Sequence, residues 1–234
     1  MIGLRSFLGC VLMAMSSVPA PAQIARLTAL AGTGAAEWAN PAVQPPFRIS
    51  MGWHREFDIP ELTSGVLHAA GEPGSLQLRH LAFSGYRELE FSLDLRTTIR
   101  GSGFGLRAGR THSWIEGFRP VSAGVLALGL TIPLGDSLRG GLIVSNDALT
   151  VGARLAVGRW RVLADLASTH GESSLRFAWR RQLTAIVEVL GGASSNPSRI
   201  ALGSAVTAGS WTLLVSGDRH AELGWTRTIA VSRR

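Results

Sequence analysis

Alternation of apolar and polar residues is the sequence feature that most limits how this chain can fold. Between residues 148 and 182 it recurs in three successive runs, separated by short turns at Gly158 and at Thr169–Ser173. Neighbouring side chains of a β-strand point to opposite faces, so each run has one apolar face and one face of small or charged residues. Three such runs with tight connections predict an antiparallel meander.

The same alternation continues through most of the chain from Phe47 onward. It is clearest in residues 88–96, where Leu and Phe alternate with acidic, hydroxyl and basic residues. Near His80 and Leu81 the phase of the pattern shifts, which predicts a β-bulge. The runs number about fourteen, and no amphipathic helix of about 10–15 residues lies between them, which excludes a βαβ fold.

The first 22 residues have the order of a secretory signal peptide. Met1–Arg5 carries one positive charge, Phe7–Met15 is apolar, and Ala20-Pro21-Ala22 precedes Gln23 as a cleavage site. The apolar run is shorter than the ~20 residues that span a bilayer as a helix. The single cysteine lies within this segment, so a mature chain beginning at Gln23 would have no disulfide or thiol chemistry.

Alternating strands occur both in membrane barrels and in soluble β-sandwiches. The second face of these runs is largely Gly and Ala with occasional Arg or Asp, whereas the outer face of a sandwich would carry Lys, Glu, Ser and Thr. A closed barrel also leaves no strand edge unpaired, and each unsatisfied backbone group in lipid costs several kcal/mol. We therefore predict an all-β, antiparallel up-and-down transmembrane β-barrel of about 14 strands in the outer membrane of a Gram-negative-type envelope. A secreted soluble β-sandwich binding protein is the alternative.

Charged side chains on the second face would point into the lumen of such a barrel. They would either form ion pairs that fill a narrow interior or line a path for an anionic head group, and the sequence leaves both possibilities open. The candidate lumen-lining charges are Glu88, Glu90, Asp94, Arg96, Arg107, Arg154, Arg161, Asp165, Arg176 and Arg180.

The residues before the first strand have weak helical character and no strand pattern, and Pro45-Pro46 makes a rigid entry into the barrel. A fourteen-stranded barrel is wider than its wall side chains alone can fill. We therefore expect this irregular or helical segment to enter the barrel mouth, with Trp38, Asn40 and Pro41 as the candidate plug. The expected organisation is a signal peptide at 1–22, a plug-like segment at 23–46 and a β-barrel at 47–234.

Tryptophans near strand ends are candidates for the aromatic girdles of the two membrane interfaces. The candidate interfacial aromatics are Trp53, Trp160, Trp179, Trp211 and Trp225.

Three short stretches, taken with this architecture, resemble the FadL-like outer-membrane superfamily, and most closely its PorV/PorQ-type proteins. They are Trp38–Ala42 (WANPA), Tyr86–Phe91 (YRELEF) and His220–Val231 (HAELGWTRTIAV), the last similar to that group's turn into the final strand. The resemblance implies a transport protein that passes or binds a hydrophobic small molecule, or an accessory barrel of type IX secretion. The implied partners are outer-membrane lipid and either that molecule or secretion-system proteins.

The sequence shows no constellation for catalysis, a cofactor or a metal. It lacks a Gly-x-Ser-x-Gly elbow and a His-Glu-x-x-His helix, and its six histidines are scattered. Gly101–Gly105 is glycine-rich, but no helix follows it, which favours a β-turn over a phosphate loop. The 23 basic residues are all Arg and are spread along the strands, so the net charge of +7 does not indicate nucleic-acid binding. We predict a non-enzymatic protein without a cofactor.

Overall fold

The computed structural model describes residues 40–43, 47–57 and 59–233. Each of its fourteen strands pairs antiparallel with its neighbours in sequence, and β1 pairs with β14. The sheet is therefore a closed up-and-down barrel, which confirms the predicted architecture and excludes the β-sandwich alternative. The described residues contain no helix long and apolar enough to cross a membrane. The predicted signal peptide and the weakly helical residues 23–39 lie outside the described part of the chain.

The strands are eight to fourteen residues long. In chain order they are β1 (Arg48–Arg55), β2 (Thr63–Ala70), β3 (Gly74–Phe83), β4 (Tyr86–Ile99), β5 (Ser102–Ile115), β6 (Val121–Pro133), β7 (Leu138–Ser145), β8 (Ala148–Val157), β9 (Trp160–Thr169), β10 (Glu172–Gln182), β11 (Val187–Ser195), β12 (Ser198–Ala208), β13 (Trp211–His220) and β14 (Gly224–Arg233).

The connections are short at both ends of the barrel. We call the end where β1 begins and β14 ends the terminal end, and the other the opposite end. The longest connection between strands is residues 56–62, at the opposite end. Within the described residues, the lumen therefore receives wall side chains and residues 40–43, which we call the segment before β1, and no long loop between strands.

The turn between β4 and β5 is shorter than the sequence predicted. Arg100 and Gly101 form it, both with positive φ (50° and 82°), which is the conformation of a two-residue turn that matches strand twist. Ser102 already begins β5. The expectation that Gly101–Gly105 forms a turn is therefore wrong beyond Gly101, and Gly103 and Gly105 are strand residues with a different role.

Exposure alternates along the strands, with apolar side chains on the outside and polar side chains buried, which is the reverse of a water-soluble protein. On β1 the exposed side chains are Ile49, Met51 and Trp53, whereas Arg48 and His54 are buried. Leu and Phe are exposed in the same way along β4, and Leu, Ile and Val along the later strands. An apolar outer surface of this kind is the face that a transmembrane barrel presents to lipid.

The predicted bulge in β3 is absent. The pairing of β3 with β2 and β4 runs without interruption through His80 and Leu81. Leu81 is 1% exposed and faces the lumen opposite Glu88, while His80 faces outward. The phase shift in the sequence therefore comes from an apolar side chain on the inner face and not from an extra residue.

An apolar cluster also fills part of the lumen. Val66 on β2 contacts a group on β11–β14, and these strands lie on the other side of β1 in the barrel. We call this set the inner apolar cluster; it consists of Val66, Leu190, Ala201, Ala205, Leu214 and Ala230. The alternating pattern predicts only small and charged residues on the inner face, so this cluster is not predicted from the sequence.

Candidate functional site: the barrel lumen

A two-point ion pair joins β4 to β5 inside the barrel. Arg107 donates from Nε and Nη2 to the two carboxylate oxygens of Asp94 at 2.6 and 2.7 Å. Ser75 on β3 donates from Oγ to Asp94 at 3.0 Å. Asp94 and Arg107 are direct cross-strand neighbours, so the backbone register itself places the charges together. A buried pair with this fork geometry is among the stronger ion pairs in proteins.

A second ion-pair group lies one step along the same wall. Arg79 on β3 donates from Nε to Glu90 at 3.2 Å and from Nη2 to Glu88. The Tyr86 hydroxyl donates to Glu88 at 2.5 Å. Both glutamates are among the predicted lumen-lining charges, whereas Arg79 is not, because the phase shift in the pattern of β3 hides which of its residues face inward. The signal that could have found it is its cross-strand pairing with Glu90.

The short segment before β1 lies against the inner wall. The Asn40 side chain is 1% exposed, and its Nδ2 donates to the carbonyl oxygens of Leu130 (2.9 Å) and Leu142 (3.1 Å). Its Oδ1 accepts from the amide of Ala42 at 2.9 Å, which folds the segment into a compact turn. Arg96 donates from Nη1 to the carbonyl of Val43 at 2.5 Å. This segment therefore contacts β4, β6 and β7 from within the lumen.

Glycines on β5 and β6 leave room for that segment. A Cβ on Gly105 would lie 2.2 Å from the carbonyl carbon of Pro41, and one on Gly129 would lie 2.0 Å from Asn40 Oδ1. A Cβ on Gly103 would lie 2.5 Å from the carbonyl oxygen of Ala42. These three glycines form a cradle that any side chain would fill. Alternation along β5 and β6 places residues 103, 105 and 129 on the inner face, so the sequence could have predicted this gap in the wall.

The wall formed by β8–β10 is rich in arginine. Arg161 and Arg180 lie directly opposite each other, and Asp165 lies opposite Arg176. Direct cross-strand partners occupy the same face, and Asp165 is 1% exposed, so all four point inward. Arg154 shares this face, because it lies opposite the buried Leu163.

A cavity of about 250 Å³ opens at the terminal end of the lumen. Its charged lining residues are Arg48, Arg161, Arg180 and Glu188, and its apolar lining includes members of the inner apolar cluster. Of the candidate lumen-lining charges, the structure thus brings Arg161 and Arg180 to this cavity. It places Glu88, Glu90, Asp94 and Arg107 in the ion pairs, and Arg96 against the segment before β1.

The tryptophans named from the sequence lie near both barrel ends. Trp160, Trp179 and Trp211 are near the terminal end, and Trp53 and Trp225 are near the opposite end. Trp160 and Trp179 pack with ring centroids 5.8 Å apart, and the Arg181 guanidinium lies 4.8 Å from the Trp160 ring. Trp114, near the end of β5, also faces outward but is not among the tryptophans predicted from the sequence. Trp38 lies outside the described residues.

Within the described residues no group of three or more His, Cys, Asp or Glu side chains is arranged to hold a metal ion. The chemistry of the lumen is therefore that of arginines, carboxylates, hydroxyls and buried apolar side chains. Such a lining can bind or filter a solute, and its geometry offers positively charged groups beside an apolar surface.

Solved structures with the same architecture are outer-membrane proteins. Omp33 of Acinetobacter baumannii has a TM-score of 0.58 at 8% identity, covering 82% of this chain and 99% of that one. The CymD monoaromatic hydrocarbon channel has a TM-score of 0.59 at 10% identity, covering 83% and 91%. A mutant porin of Rh. blastica has a TM-score of 0.50 at 8% identity, covering 80% and 98%. No protein-family model and no curated protein matches the sequence.

The class of protein follows from the barrel itself. A closed, fourteen-stranded antiparallel barrel with an apolar outer surface and a polar, partly charged interior is an outer-membrane β-barrel. At these low identities the likeness to solved structures concerns the fold.

Proposed function

We propose that this barrel binds a small hydrophobic molecule in its lumen and passes it across the outer membrane. The observation that carries the proposal is the inner apolar cluster, which lies beside the cavity at the terminal end. An interior that only conducts water and ions has no need of buried Leu190 and Leu214. Apolar side chains beside an open cavity favour contact with an apolar solute.

The remaining lumen is filled in a way that favours selective passage over free diffusion. The Asn40–Val43 segment lies against the inner wall at β5–β7. The ion pairs of Arg79 and Arg107 join neighbouring strands on the inner face of β3–β5. A solute that crosses the barrel would have to displace the segment before β1. Movement of that segment is therefore the gating step of this proposal.

Two resemblances point to the same class of solute. The similar CymD structure is described as a monoaromatic hydrocarbon channel. The motifs Trp38–Ala42, Tyr86–Phe91 and His220–Val231 resemble FadL-like proteins, among which are transporters of hydrophobic substrates. These likenesses support the proposal, and the inner apolar cluster is its physical basis.

A secretion accessory barrel is the second candidate function. The filled lumen favours it, because a scaffold needs no open path, and the PorV/PorQ-type motifs support it. In this role the outer surface or the short connections would contact secretion-system proteins. The two functions differ in whether the lumen ever admits a solute.

Uptake of radiolabelled toluene by intact cells tests the proposal. Cells that produce the barrel should take up toluene faster than cells that lack it, and Leu214→Gln should remove most of the gain by placing an amide in the inner apolar cluster. Leu213→Gln is the matched control, because Leu213 is the adjacent residue on the outer face. Equal uptake with and without the barrel, together with loss of a secreted cargo when the barrel is deleted, would favour the accessory role instead.

A further inference from the structure

Among the described residues that line it, the terminal-end cavity has an excess of positively charged side chains. Three arginines, Arg48, Arg161 and Arg180, line it together with one carboxylate, that of Glu188. The Gln182 amide and the hydroxyl groups of Ser50, Thr184, Thr207, Thr212 and Ser232 complete the polar part of the described lining. Guanidinium groups recognise carboxylates through paired hydrogen bonds, and hydroxyls can serve the remaining lone pairs.

Two of these arginines face each other across the strand pair β9–β10. Arg161 is the direct cross-strand partner of Arg180. Direct cross-strand partners occupy the same face of a sheet, so both guanidinium-bearing side chains lie on the lumen side. Glu188 lies opposite Gln182, which is two residues from Arg180 and nearer the terminal end of β10. The described lining as a whole carries more positive than negative side chains.

Part of the cavity lining is apolar. Ala205, Leu214 and Ala230 line the cavity and belong to the inner apolar cluster, and Ala185, Ile186 and Val187 add further apolar surface. The described lining therefore has a cationic part and an apolar part. A ligand that satisfies both parts carries a negative group at one end and a hydrocarbon group at the other.

The volume limits the size of that ligand. A cavity of roughly 150 Å³ lined by apolar side chains holds one benzene molecule. The cavity here is about 250 Å³, which leaves space for a carboxylate beside a single ring or a short chain. Larger amphipathic anions, such as long-chain fatty acids, would extend out of the mouth.

We propose that the terminal-end cavity is a binding site for a small organic carboxylate, with Arg161 and Arg180 holding the carboxylate and Leu214 contacting the hydrocarbon part. The proposal deepens the proposed function, on which it rests for the route by which the ligand reaches the cavity. It names the solute as amphipathic and anionic, and it assigns the arginine pair as the specificity-determining residues.

Calorimetric titration of the refolded barrel in a zwitterionic detergent tests the site, with sodium benzoate as the probe. Benzyl alcohol is the neutral control of similar shape, acetate is the anion without a ring, and empty micelles correct for partitioning. Benzoate should bind at least about tenfold more tightly than either control. Arg161→Gln and Arg180→Gln should each weaken benzoate binding about tenfold, as expected for loss of a charge-assisted hydrogen bond.

Arg181→Gln is the matched control variant. Arg181 is adjacent to Arg180 in sequence but points outward over the Trp160 ring, so its loss should leave benzoate binding unchanged. Arg161 is exposed, so its substitution preserves folding and the comparison with Arg181 is direct. Equal binding of benzoate and benzyl alcohol, equal binding of benzoate and acetate, or equal loss in all three variants would each overturn the assignment. If the benzoate assignment fails but the barrel still increases toluene uptake, the proposed function stands and only the carboxylate site is wrong.

Discussion

The side-chain amide of Asn40 donates to the backbone carbonyl oxygen of Leu130 at 2.9 Å, and so ties the segment before β1 to the inner wall of β6. A second hydrogen bond to Leu142 extends the tie to β7. The contact is made where Gly105 and Gly129 leave space. It joins residues 90 positions apart in sequence, and it is the contact on which the prediction of a plug can be tested.

Asn40→Ala should loosen the segment before β1 from the inner wall. The substitution removes both hydrogen bonds to β6 and β7 as well as the bond that Asn40 Oδ1 accepts from the Ala42 amide. Single-channel recording in a planar bilayer should show higher conductance or more frequent opening than in the intact protein. Deletion of residues 23–40, with the signal peptide kept, sets the upper limit of this effect. Identical conductance in all three proteins would show that the segment does not block the lumen.

Gly129→Ala should displace the same segment by steric conflict. The added Cβ would lie 2.0 Å from Asn40 Oδ1 and 2.9 Å from the Pro41 ring, closer than real contacts allow. Conductance should rise as in Asn40→Ala, because the wall can no longer accept the turn. Gly124→Ala on the same strand is the control, since a Cβ there meets nothing within 4 Å. A rise in both variants would indicate a general loosening of β6 instead.

Asp94→Ala should destabilise the barrel by about 3–5 kcal/mol, because it leaves the buried Arg107 guanidinium without its carboxylate. Urea unfolding in lipid vesicles, followed by tryptophan fluorescence, measures the loss. Asp136→Ala, in an exposed connection, should change stability by less than about 0.5 kcal/mol. The double variant Asp94→Ala with Arg107→Met should recover part of the loss. No recovery would mean that the cost comes from packing and not from the unpaired charge.

Val151→Arg should cost about 2–4 kcal/mol, because Val151 lies mid-strand on the outer face. Thr150→Arg places the same side chain on the lumen face of the same strand and should be milder. Ser92 also lies on the lumen face according to the alternating pattern, but its side chain is only 2% exposed. Arg at Ser92 would be overpacked, so Thr150 is the better control. Equal tolerance at Val151 and Thr150 in a lipid folding assay would contradict the assignment of faces.

The mature chain is expected to begin at Gln23, because Ala20-Pro21-Ala22 follows the apolar run as a cleavage site. Mass spectrometry of the exported protein measures this directly. A mature chain beginning at Cys10, or one that retains Met1, would show that the segment has another role.

Period-two patterning by itself determined the strand character of the chain, the approximate number of strands and the face of nearly every outward Leu, Phe and Trp. It could do so because side-chain direction along a strand depends on local backbone geometry alone. Where the pattern failed, at His80 and Leu81, the strand was still regular, and an inward leucine was mistaken for a change of register.

Only the tertiary structure decided what fills the lumen. Closure through β1 and β14 brings Val66 of β2 into one cluster with Leu190 of β11, and the cradle glycines on β5 and β6 receive the segment at Asn40. These contacts depend on the diameter of the closed barrel and on which side chains meet across it. No periodicity along the chain encodes either quantity, because Val66 and Leu190 lie 124 positions apart in the sequence. The charges of the lumen could therefore be named from the sequence, whereas their pairing, the cavity and the inner apolar cluster could not.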